Sequence, residues 1–448
     1  MMRYDRRRFL HLLGATGLMA GPRPSGEVAG GTPSPLARSQ AAPGVIAWRE
    51  QFPALRQSVN GQPLVYLDSA ATTLRPRGVI DELTQFYEGD NANPSATLHT
   101  LARRAAQRYA AARQRVATFL NAADPSEIVF TKGTTEGINL VAAAWGPANL
   151  RAGDEIVLTI AEHYSNLLPW RALADRVGAT IRIVDIGDDG LLSPSRVAAA
   201  CTNRTRLVAF SHVSNVLGIV NPAAEICEVA RRHGALTLID AAQSAPHITL
   251  DVRTLGCDFL AFSAHKLLGP MGVGVLWGRR DLIEAMPPYQ WGSNMAHDVD
   301  AASAQLEHGG AKYQAGTPNV SGPVGLAAAI GLLDHIGFDA LARHDRLLVD
   351  HAARRFQAIK GLRVLGSLTA PGRIPVFTFT LNDIPIPRIV QAMDAQGIAV
   401  RGGDMAALPL LRRFGVAAAA RASCYLYTTT DEIDRFVAVL HGLSGNAA

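Results

Sequence analysis

Lysine is scarce: the 448-residue chain has only four, at positions 132, 266, 312 and 360. Cysteine is equally scarce, at 201, 227, 257 and 424, with no CxxC pair and no metal-ligand spacing, so neither a disulfide framework nor a metal site is expected. Arginine is common but scattered. Without a Lys/Arg block or interleaved aromatics, the net charge of +5 reads as a solvated surface and not as a nucleic-acid face. No GxGxxG follows the first strands, which disfavours a dinucleotide-binding enzyme of the Rossmann type. No internal repeat is visible, and no low-complexity segment lies beyond residue 43. With 48% apolar residues the chain still has enough material for a large core and two lobes.

The N-terminus carries an address. Arg6-Arg7-Arg8-Phe9-Leu10 precedes a short apolar segment, His11–Ala20, and then a Pro/Gly/Ser/Ala-rich stretch to about Pro43. Basic, short apolar and small residues in that order read as a secretion signal, too short to span a bilayer, so stable membrane insertion is not expected. Paired arginines before Phe-Leu are similar to a twin-arginine signal, a route for folded, cofactor-loaded proteins. Residues 1–43 are thus expected to be signal and linker. The expected location is periplasmic or secreted, with the cytoplasm as the alternative, and Ala20 is one candidate cleavage position.

Beyond the linker, strand-like runs recur, each followed by polar residues. Leu64–Asp68 leads into Ser69-Ala70-Ala71-Thr72-Thr73. Glu127–Thr131 ends in Lys132-Gly133-Thr134-Thr135, a turn that opens a helix and offers amides and hydroxyls to a phosphate. Glu155–Ile160 ends at Glu162-His163, Leu207–Ser211 at His212-Val213-Ser214-Asn215, and Leu236–Ile239 at Asp240 with Gln243 beyond. Intervening helices such as Leu98–Leu120 and Pro222–His233 indicate right-handed crossovers and a mostly parallel sheet in an α/β fold. Polar residues after consecutive buried strands then converge on one rim. A large domain over 76–300 is expected, with 45–75 and 320–448 forming a smaller α+β lobe. That lobe is predicted to include strands Val376–Leu381 and Ala422–Tyr427.

The stretch Asp258–Gly274 concentrates the chemistry. The apolar run Phe259–Phe262 delivers Ser263, His265 and Lys266 to a strand's carboxyl end, before glycines that allow close backbone approach. A lysine there suits a Schiff base to pyridoxal 5'-phosphate (PLP). Asp240 is placed to pair with the pyridine nitrogen, Asn215 and Gln243 with the ring oxygen, and His163 with the ring face. Thr135, Ser263 and His265 are candidates for the phosphate, with Thr134 beside them.

On these stretches (VFTKGTTEGINLVAAAWG, AEHYSNLLPW, SHVSNVLGIVNP, LIDAAQSAPH, DFLAFSAHKLLGPMGVGVL, YQAGTPN and ARAS) the chain from about 60 to 443 resembles the class V, fold type I PLP enzymes. It is most similar to their group II, Suf-type cysteine desulfurases. The resemblance implies the same assignments, with catalytic roles for Lys266 and His163. It adds Thr317 reaching the phosphate of a neighbouring subunit in a homodimer, and Arg421 binding the substrate's α-carboxylate beside Asn215.

The departures bear on function. In the desulfurases a loop cysteine carries the sulfur; here Ala399–Pro409 aligns without gaps and Ala406 stands at that position. Ser95-Ala96-Thr97 replaces the family's His-Arg-Gly, and Trp291-Gly292-Ser293-Asn294-Met295 its glycine-rich loop. The leading expectation is a PLP enzyme acting on an amino acid or an amino-acid-containing metabolite by elimination, transamination or epimerisation. One alternative is a desulfurase using an atypical thiol, either Cys424 or that of an acceptor; Cys424 otherwise reads as a buried small hydrophobe. Another is a protein that keeps PLP only for structure.

Overall fold

A computed structural model describes residues 44–95 and 98–445; the signal-like segment and the Ala96-Thr97 departure lie outside them. The frame is a seven-stranded sheet. In chain order its strands are β1 (Ile128–Thr131), β2 (Glu155–Thr159), β3 (Thr180–Val184), β4 (Thr205–Ser211), β5 (Leu236–Asp240), β6 (Phe259–Ser263) and β7 (Gly274–Gly278). They lie in the order β1-β7-β6-β5-β4-β2-β3. Strands β6, β5, β4, β2 and β3 are parallel, and only β7 runs antiparallel to its neighbours β6 and β1.

Five of these strands, β1, β2, β5, β6 and β7, read as apolar runs because both faces are covered by helices. Edge strand β3 is mostly half-exposed and carries Arg182 instead. Two core clusters sandwich the sheet: Val157, Val208, Ile239, Leu260 and Val275 point to one side, and Ile156, Leu158, Leu207, Leu238 and Leu276 to the other. This is the period-2 alternation of a strand made visible in the packing.

A second sheet of four antiparallel strands comprises β8 (Leu362–Val364), β9 (Val376–Leu381), β10 (Arg401–Gly403) and β11 (Ala419–Ser423), in the order β8-β9-β11-β10. The predicted strand Ala422–Tyr427 is therefore displaced toward the N-terminus. Small residues with weak strand propensity form β11 because they pair with β9 on one side and β10 on the other; pairing overrides propensity. Tyr425 and Tyr427 follow the strand and pack edge-to-face at 5.9 Å. Val65-Tyr66 forms a separate short parallel pair with Ile398-Ala399, and a bridge between Asp68 and Ser423 fastens the early segment to the four-stranded sheet. Among the described residues no single helix is long and apolar enough to cross a membrane.

Candidate active site

The carboxyl ends of β4, β5 and β6 open into a cavity of about 710 Å³. Thr134, Thr135, His163, Asn215, Asp240 and Gln243 line it, as do Ser263, His265, Lys266 and Arg421. Thr317 does not. It is exposed, and its hydroxyl accepts a bond from Asn93 Nδ2 at 3.3 Å.

One wall is the N-terminus of the helix Thr134–Asn149 (α1), whose N-cap Gly133 supplies no side-chain cap. The Thr134 N–H donates to Ser263 Oγ at 2.8 Å, and the two hydroxyls are 2.7 Å apart, so the helix start is tied to the end of β6. Thr135 Oγ1 lies 2.7 Å from Ser165 Oγ. Close approach demands glycine here, since a Cβ on Gly274 would sit 2.4 Å from Gly133 Cα. Uncapped amides at the positive end of a helix, with Thr and Ser hydroxyls around them, fit a phosphate.

On the floor stand Lys266 and Asp240. Lys266 is half-buried by exposed area because the cavity is open, yet protein surrounds its amine on nearly every side. Burial lowers its pKa to about 8; Asp240 opposes the shift, and Arg421 and Arg401 add to it. Burial raises the Asp240 carboxyl, against the Ala242 N–H that donates to Oδ1 at 2.9 Å and the charge of Lys266. A buried carboxylate beside a lysine of lowered pKa matches a pyridinium nitrogen and an imine-forming amine.

His163 has its pKa brought down to about 4, by burial first and then by Lys266 and Arg421, so its ring is neutral across the physiological range. Its Nδ1 accepts the Ser165 N–H at 3.1 Å, which places the proton on Nε2. Burial brings His265 to about 4 as well. Behind the floor the fully buried Glu162 accepts from Thr159 Oγ1 at 2.5 Å and from Asn166 Nδ2 and Ser211 Oγ at 2.7 Å; burial nevertheless pushes it up to about 7.

Asn215 and Gln243, expected to meet the ring oxygen, each spend one amide hydrogen on backbone. Asn215 Nδ2 donates to Met405 O at 2.9 Å and Gln243 Nε2 to Ala70 O at 2.8 Å. Each amide nitrogen keeps a second hydrogen for the cavity. Arg421 is buried on β11; its Nη1 donates to Asn215 O at 2.9 Å and its Nη2 to Asp68 Oδ1 at 3.2 Å, while Nε has no partner. Arg421 lines the cavity, and a guanidinium there fits a carboxylate ligand.

The sequence reading passed over Asp68, Tyr164, Arg401 and Asp404. Asp68 bridges Arg421 and Arg401, the latter at 3.7 Å. It follows a strand-like run as Asp240 does, and that pattern was the available signal. Cys424 is buried in the core of the smaller sheet and lines no part of the cavity; nor do the other three cysteines, all buried. Burial pushes the Cys424 thiol far above its ordinary value.

Known proteins place this arrangement. The aminotransferase class-V family model matches residues 65–436. A probable cysteine desulfurase of Halalkalibacterium halodurans is 44% identical over 386 residues, covering 86% of this chain and 94% of its own. A cysteine desulfurase of Klebsiella pneumoniae is 43% identical, covering 88% and 96%. Among solved structures, the Escherichia coli cysteine desulfurase in its S-sulfonic acid form superposes with a TM-score of 0.82 at 36% identity, covering 88% of this chain and 97% of its own. A C-DES variant with glycine covalently linked to its PLP cofactor gives 0.74 at 27% identity, covering 88% and 98%. The chain is a PLP-dependent, fold type I enzyme and belongs to the class V aminotransferase family, among cysteine desulfurase-like members.

Proposed function

We propose that this protein acts on an amino acid or an amino-acid-containing metabolite by chemistry that begins at Cα and uses no sulfur-carrying cysteine of its own. The observation that carries this reading is Ala406, a methyl group lining the cavity where the desulfurases present a thiol, together with four cysteines buried away from it. PLP, when bound, supplies the electron sink that stabilises a carbanion at Cα. Lys266 Nζ, poised near pH 8, holds the cofactor and takes and returns the Cα proton. Asp240 would keep the pyridine nitrogen charged, neutral His163 would face the ring, and Thr134, Thr135, Ser263 and His265 would hold the phosphate. Arg421 anchors the substrate carboxylate. Elimination, transamination and epimerisation all start from this arrangement, whereas decarboxylation would have to expel the carboxylate that Arg421 stabilises.

The deciding assay adds cysteine to the purified protein and measures sulfide, pyruvate and alanine. Sulfide with pyruvate identifies a C–S lyase. A spectral shift with amines but neither product identifies another amino substrate. Sulfide with alanine, dependent on a reductant, would overturn the proposal and restore a desulfurase using an atypical thiol, either Cys424 or that of an acceptor; the 44% identity to a probable desulfurase is what favours that second reading.

Two further elements belong to this reading. The enzyme is a homodimer in which Thr317 serves the neighbouring subunit's phosphate; its exposure outside its own cavity supports this, as do the exposed Leu98 and Trp291. Light scattering at micromolar concentration tests it. The protein is exported by the twin-arginine route, on the strength of Arg6-Arg7-Arg8-Phe9-Leu10. An intact, purely cytoplasmic chain in fractionated cells would overturn that.

A further inference from the structure

The segment carrying Ala406 is held shut. Tyr164 grips it twice: its backbone N–H donates to Ala406 O at 2.8 Å, and its hydroxyl donates to Asp404 Oδ2 at 2.7 Å. Asp404 turns the chain back on itself, since its other oxygen accepts the Ala406 N–H at 3.0 Å and its carbonyl accepts the Ala407 N–H at 2.9 Å. Asn215 adds a third external tie through Met405 O at 2.9 Å. Met405 and Ala406 both lie at φ 54°, a left-handed conformation that costs about 1–2 kcal/mol for each side-chain-bearing residue and persists only where neighbours enforce it. Ala407, Leu410 and Leu411 are fully buried just beyond. All the ties come from residues flanking the cofactor site, because Tyr164 directly follows His163 and Asn215 lies at the end of β4.

From this geometry, and resting on the reading that Ala406 carries no sulfur, we propose that Tyr164 and Asp404 are positioning residues. They form a clasp that makes residues 404–407 a fixed wall of the substrate cavity. The segment is pinned at both a side chain and a backbone position, and its methyl group and left-handed turn set the shape of the pocket beside His163. The clasp therefore fixes the shape of the wall that a substrate meets at Ala406.

The test uses the full-length, PLP-loaded protein. Amide hydrogen exchange over 404–408 is compared between the native chain and Tyr164→Phe, which keeps the backbone tie and loses only the hydroxyl. Exchange is expected to accelerate at least tenfold in that segment and to remain unchanged in β5 and β6. Asp404→Asn, whose single amide oxygen accepts one of the two bonds, is expected to fall between native and Asp404→Ala. Unchanged exchange over 404–408 in Tyr164→Phe overturns the clasp. The measurement does not depend on turnover, so failure here is separable from failure of the proposed chemistry.

Discussion

Arg421 Nη2 donates to Asp68 Oδ1 at 3.2 Å, joining the last residue of the first strand-like run to one nearly at the end of the chain. The guanidinium is buried, its pKa is lowered by that burial, and Asp68 works against the shift. Arg421 is thus a fixed cation at the cavity wall with guanidinium N–H groups still uncommitted. Replacing it with Lys keeps the charge and loses the planar fork, so carboxylate affinity should fall about 10- to 100-fold, read as a rise in KM or in the Kd of an amino-acid inhibitor. Arg421→Ala should also leave Asp68 with only Arg401 at 3.7 Å and cost about 1–3 kcal/mol of stability, measurable by denaturant unfolding. Unaltered affinity in Arg421→Lys would remove the residue from the substrate site.

Cofactor capture should titrate with Lys266. Its amine is the nucleophile only when neutral, and its pKa is brought from 10.5 to about 8. The neutral fraction therefore rises as pH increases through 8. The rate of PLP uptake by cofactor-free protein should climb roughly tenfold per pH unit below that value and level off above it. A profile flat from pH 6 to 9 would contradict the shift, and Lys266→Ala should abolish the near-visible absorption expected of PLP joined to a lysine.

Asp240→Asn removes the buried anion while keeping its shape. The variant should still bind PLP through Lys266 and the phosphate contacts, but turnover should drop about 10²-fold or more, as for loss of one preorganised electrostatic partner. Absorbance shows the loading and steady-state kinetics the loss. Native turnover would mean that ring protonation is not maintained from this position.

Cys424→Ala separates the two thiol readings directly. The side chain lies in the core with Phe377, Ile433 and Phe436, so truncation should cost about 1 kcal/mol in thermal or denaturant unfolding. Turnover should be unchanged. A dead but folded variant would mean that the sulfur leaves the core during the reaction.

The residues proposed to hold PLP were legible because they obey a simple rule: each ends or follows a buried apolar strand, and parallel strands present their carboxyl ends on one rim. Ser263, Lys266, Asp240, Asn215 and His163 were found that way, and all line one cavity. The rule fails where pairing partners are distant. The strand Ala419–Ser423 was misplaced because its small residues signal no strand, and only pairing with β9 and β10 makes one. Asp68 went unread because its meaning depends on an arginine more than 300 residues away.

By itself the amino-acid order determined the α/β alternation, the rim of polar residues and the alanine at position 406, since periodicity and residue identity are local properties. Only the tertiary structure decided that burial would lower Lys266 and His163 together, that Asn215 and Gln243 would each commit one hydrogen to backbone, and that Tyr164 would clasp Asp404. Those facts depend on which groups meet across the fold and how much water is left between them, and distances of that kind are written in the packing, not in the order of residues.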